Sequence, residues 1–155
     1  MGCYKKIVIM ALCLTSFYLV APANAVISEV QAINFGKFAL QNNTSVHTYR
    51  VLPNGTINAN VEYIRFFDGQ EGQYNLSGYP ATTALTILVT SGNLTTGAGG
   101  EQFSIGSWDT SPASLVTDAS GEESFNLGAT LSSSGSGTMY LDGTFNVNAT
   151  ITINF

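Results

Sequence analysis

Thr144-Phe145-Asn146-Val147-Asn148-Ala149-Thr150-Ile151-Thr152-Ile153-Asn154-Phe155 is the stretch that decides the fold. Every odd position is apolar and every even one is a small polar residue. Side chains of an extended strand alternate between its two faces, so this run has one dry and one wet face. No charge interrupts it. The dry face has to be covered by the chain's own fold, by a neighbouring molecule or by lipid. Phe145, Val147, Ile151, Ile153 and Phe155 are therefore expected to face inward, as a strand that a subunit or chaperone contacts.

Working back from this run, strand-like segments recur between turn residues, and no window keeps the three-to-four spacing of a helix. The segments are Ile33 to Leu40, Val46 to Leu52, Ala59 to Phe67, Gln73 to Leu76, Ala84 to Thr90, Phe103 to Trp108, Ser124 to Leu131 and Met139 to Phe155. The last is expected to bend at Asp142-Gly143. Pro53-Asn54-Gly55 is a turn signal with a mechanism, because proline fixes φ while asparagine and glycine accept positive φ. About eight short strands at this spacing predict an all-β, antiparallel immunoglobulin-like β-sandwich, with a small β-barrel as the alternative.

The first 25 residues read as a signal peptide. Lys5 and Lys6 precede an apolar stretch from Ile7 to Val20, and Ala23-Asn24-Ala25 supplies the small-x-small cleavage pattern. Residues 26–155 are then a single domain, and no later run is long and apolar enough to span a membrane as a helix. Cys3 and Cys13 both lie in the leader, so the exported part holds no cysteine and is stabilised by packing and backbone pairing. Lys37, Arg50 and Arg65 face ten acidic residues there, a net charge near −7. With no basic cluster, nucleic acid is not an expected partner.

Catalytic and ligand chemistry is sparse. His47 is the one histidine, and the strand period sets it opposite Val46 on a face read as solvent-exposed. One histidine and no exported cysteine argue against a zinc site. Asp68-Gly69-Gln70-Glu71-Gly72 and the acidic stretch from Asp118 to Glu123 lack the spacing of a calcium loop and read as solvated turns. No catalytic residue, cofactor or metal is expected. Tyr74, Tyr79 and Trp108 lie near turns and are candidates for an aromatic ligand platform, although aromatic side chains are mainly core material.

The order of short motifs resembles the bacterial domain-of-unknown-function 4402 family, exported β domains that resemble pilin subunits. The resemblance rests on Ile33-Asn34-Phe35-Gly36, on Val51-Leu52-Pro53-Asn54-Gly55-Thr56 and on Tyr74-Asn75-Leu76-Ser77-Gly78-Tyr79-Pro80. It continues through Phe125-Asn126-Leu127-Gly128-Ala129-Thr130-Leu131 and the run from Leu141 to Phe155. It implies a structural subunit of a Gram-negative surface filament, built by strand donation between subunits. The implied partners are other copies or related pilin subunits, a periplasmic chaperone and an outer-membrane usher. Val26, Val30, Ile33 and Phe35 are the candidate donor arm. Two other readings cover the same dry face: a self-complete secreted module that binds carbohydrate or a host surface, and an outer-membrane barrel. The short runs and the lack of paired aromatic girdles weigh against the barrel.

Overall fold

The computed structural model describes residues 25–91, 94 and 100–155. The segment read as a signal peptide, apart from Ala25, lies outside the described residues. Eleven strands follow in chain order: β1 (Val26–Gln31), β2 (Lys37–Leu40), β3 (Thr48–Val51), β4 (Ile57–Ala59), β5 (Tyr63–Phe67), β6 (Gly72–Ser77), β7 (Ala84–Ser91), β8 (Ser104–Ser111), β9 (Leu115–Val116), β10 (Glu123–Ser132) and β11 (Ala149–Asn154).

All strand pairs are antiparallel. The large sheet runs β1-β6-β10-β3-β4, with β8 also on β10. Asn126 and Leu127 pair with both β6 and β8, while Thr130 to Ser132 pair with both β3 and β8. Since a strand has only two edges, β8 must occupy one edge of β10 while β6 and β3 share the other end to end. Gly128 sits at their junction. A Cβ there would lie 2.6 Å from Val51 O and 2.8 Å from Pro53 N, so the close approach requires glycine. Opposite this sheet stand β11-β7-β9 and the two-stranded ribbon β2-β5. The sheets do not close on themselves, so the fold is a sandwich and the small-barrel alternative is set aside.

Two apolar cores result. One gathers Tyr74, Leu76, Tyr79, Leu85, Leu115, Phe125 and Leu127. The other gathers Tyr49, Val51, Tyr63, Leu94, Phe103 and Leu131. Tyr49, fully buried, stacks on Phe38 at 5.3 Å and meets Tyr63 edge-on at 5.5 Å. Offset and edge-on arrangements of this kind suit the quadrupoles of aromatic rings.

Several strand boundaries differ from the sequence reading, for local reasons. The turn at 53–55 forms as expected: Gly55 N donates to Leu52 O at 2.9 Å, and Asn54 Oδ1 accepts from Thr56 N. Ile33 to Leu40 is strand only from Lys37, after Gly36 at φ +75. Ala59 to Phe67 is broken by a turn at 60–62, which sends β4 and β5 into different sheets. Met139 to Phe155 is regular strand only over β11.

Candidate functional site

The final run keeps its dry face almost throughout. Ile151 and Ile153 pack half-buried against the first core, while Phe145 and Val147 pack against the second. β11 pairs with β7 in register, Ile151 opposite Val89 and Ile153 opposite Ile87. The chain's own sandwich thus covers this face. Phe155 is the departure: it is 66% exposed, and its ring meets only the edge of Tyr79 at 5.3 Å. It lies one residue beyond the last paired position, where no facing strand covers it.

At the other end of the domain, β1 lies on β6 with a register shift between Glu29 and Gln31. None of its side chains is buried: Val26, Ile27 and Val30 are 48%, 37% and 59% exposed. Ile33 and Phe35 are half-buried beyond it, with Phe35 packed edge-on against Tyr49. The four arm candidates therefore divide. Val26 and Val30 stand in solvent on a sheet edge, whereas Ile33 and Phe35 already serve their own chain.

Tyr74 and Tyr79 do not form a surface platform. They are 8% and 7% exposed, and Tyr74 stacks on Phe125 at 5.2 Å. Trp108 packs half-buried against the same core. Alternation along β6 carries Tyr74 inward together with Leu76, so the rings are core material.

His47 also reverses its expected side. It is buried, while Val46 is 60% exposed. The alternation was right and the choice of face wrong, because Tyr49 and Val51 share the parity of His47 and both are buried. Its Nδ1 lies 3.2 Å from Glu62 Oε2, and its Nε2 lies 3.3 Å from Ser45 Oγ. That order of groups is the one a serine-hydrolase relay uses. His47 is buried and none of the three lines the cavity between β4 and β5 or the one beside β7, so we read the imidazole as a tie between the segment entering β3 and the turn entering β5. The tie extends to Tyr63, whose hydroxyl donates to His47 O at 3.1 Å.

Burial pushes the Tyr63 phenol well above its ordinary pKa of 10.0, and burial raises Tyr49, Tyr74 and Tyr79 in the same direction. The unfolded chain therefore loses these protons at lower pH than the folded chain does. Their contribution to stability is fully present below about pH 10 and is lost as pH rises above it. Tyr63→Phe is expected to cost about 1 kcal/mol at neutral pH by removing the bond to His47 O, and to make the alkaline fall shallower. Urea denaturation at pH 7, 10 and 11.5 measures both.

The acidic turns hold themselves. Asp118 Oδ1 accepts from Ser120 N and Glu122 N at 2.8 and 2.9 Å, and Asp68 pairs with Arg65 at 3.0 Å. Among the described residues, no group of three or more His, Cys, Asp or Glu is placed to hold a metal ion.

A surface feature missed in the sequence lies on and beside β5. Val61, Ile64, Phe66 and Phe67 are 88%, 41%, 57% and 69% exposed. Lys37 pairs opposite Phe67, and Arg65 is part of the same ribbon. The adjacent pair Phe66-Phe67 was the available signal, since two consecutive strand residues cannot both point into one core. Beside this patch, a cavity of about 360 Å³ opens between β4 and β5, lined by Ile57, Ala59, Val61, Tyr63 and Arg65 among others. A second, of about 330 Å³, opens where β7 and the end of β8 part.

Fold and surface together define an all-β sandwich domain whose marked features are open strand edges and an apolar, basic ribbon. Residues 26–155 match the family described as a domain of unknown function, DUF4402, and the chain belongs to that family. No curated protein and no solved structure matches the chain.

Proposed function

We propose that this chain is a structural subunit of a Gram-negative surface filament. In this reading it is exported through the periplasm after removal of residues 1–25, held there by a chaperone, and assembled at the cell surface through an usher by strand donation between copies or related subunits. The observation that carries the reading is β1: a short strand at the start of the domain, on a sheet edge, with every side chain at least partly exposed. Such a strand gives its own domain a hydrogen-bonded ladder and little core. It is therefore the segment that exchanges between copies at least cost, by the β-augmentation common in peptide recognition.

Deletion of Val26 to Ala32 tests this. The expected product still folds and is exported but does not multimerise, which non-denaturing gels of surface extracts would show. Multimers of wild-type yield after the deletion would end the strand-donation reading.

One observation favours a second reading, a self-complete secreted binding module: Ile151 and Ile153 are seated within their own domain. The exported chain made without partner proteins separates the two. A stable soluble monomer at high concentration supports the module, and self-association supports the filament.

A further inference from the structure

β4 ends the large sheet, and β5 pairs only with β2. Among the described residues, their outer edges have no strand partner. The two strands flank the turn at 60–62 and enter different sheets, and residues of both and of the turn line one cavity. Unpaired strand edges, with exposed apolar side chains beside them, are a template for one more strand. We infer that this slot is the acceptor for β1 of a second copy of this chain, a proposal that rests on the strand-donation reading and names where the donated strand goes.

Three observations select that occupant. The first is charge. The domain is acidic overall, yet two of its three bases, Lys37 and Arg65, lie on the β2-β5 ribbon, and Arg65 lines the slot. β1 carries an acid, Glu29, in mid-strand among Val26, Ile27 and Val30. The carboxylate of β1 is complementary to the one guanidinium of the slot, whose present pair with Asp68 is exposed and therefore exchanges at little cost. The second is pairing. On its own domain β1 is bonded along the β6 edge only, whereas between β4 and β5 both of its edges would face a strand. Its six residues match the five of β5 and overrun the three of β4.

The third is direction. β1 borders β6 and β4 borders β3, so the donated strand and the slot are two different patches of one copy. A contact from one patch to the other patch of the next copy is heterologous, and such contacts propagate into open filaments unless the rotation closes a ring. The exposed Val61, Ile64 and Phe66 beside the slot are apolar surface that an incoming strand would cover.

The exported region has no cysteine, so site-directed cross-linking reads the contact directly. Full chains with Cys3→Ala and Cys13→Ala would be coexpressed in the native host. One copy carries Ser28→Cys in β1, and the other carries Asn58→Cys in β4 or Thr86→Cys beside the second cavity. A short bis-maleimide reagent then links thiols that lie close together across copies. The proposal expects the 28–58 heterodimer to exceed the 28–86 heterodimer by about tenfold, the ratio that a preference of 1.4 kcal/mol produces. Arg65→Glu should lower the multimer yield, and Arg65→Glu with Glu29→Arg should restore it. Multimers that cross-link at 28–86 instead overturn the slot and leave the filament reading standing. Wild-type chains that form no multimers overturn both.

Discussion

Replacing Ile151 and Ile153 together by aspartate is expected to unfold the domain and, on the proposed function, to abolish surface display. Both side chains pack half-buried against the core built from Tyr74, Leu85, Phe125 and Leu127, and both belong to a strand whose one partner among the described residues is β7. The change removes two apolar contacts and sets two carboxylates where no basic group is packed. Losing the apolar burial and desolvating the charges cost together roughly 4–6 kcal/mol, comparable to the whole stability of many domains. Thr152→Asp is the control, since Thr152 lies between them on the wet face and is exposed. That variant should fold as the wild type does and, on the proposed function, be displayed equally. Circular dichroism and surface labelling of the three chains check the result. Normal display of the double aspartate variant would show that the final strand does not hold the core.

Gly128→Ala should cost about 3 kcal/mol although it adds a single methyl group. The added Cβ would meet Val51 O at 2.6 Å and the Pro53 ring at 2.7 Å, and backbone cannot swing aside as a flexible side chain does. Overpacking against backbone falls at the upper end of the usual range for such changes. Gly106→Ala on β8 is the comparison, because a Cβ there meets nothing within 4 Å. It should change the urea midpoint by only a few tenths of a kcal/mol equivalent. Equal midpoints for the two variants would mean that β3 and β6 do not abut at Gly128.

The fold class was legible because the strands that matter most are buried on one face. Along the final run the alternation put Phe145, Val147, Ile151 and Ile153 on the packed side, while Ala149 and, past the last paired residue, Phe155 stay exposed. Where both faces are open the pattern loses its meaning. β1 has apolar residues on both parities because neither face is selected for burial, so sequence could not fix its register. His47 shows the complementary failure: its polarity suggested solvent, while Tyr49 and Val51 on the same parity already marked the inner face. Tyr74 and Tyr79 were ambiguous in the same way, since tyrosine serves cores and surfaces alike. β9, with two residues, is too short to carry any period. The slot between β4 and β5 depends on two neighbouring strands entering different sheets, and that is a property of long-range pairing with no local signature.

The length of β10 has a consequence for how the molecule comes apart. Phe125 and Leu127 serve one core and Leu131 the other, on a single uninterrupted strand. Neither half can melt without loosening the backbone that the other half is built on. Heating should therefore give one sharp, cooperative transition instead of two, with amide protons of β10 among the last to exchange.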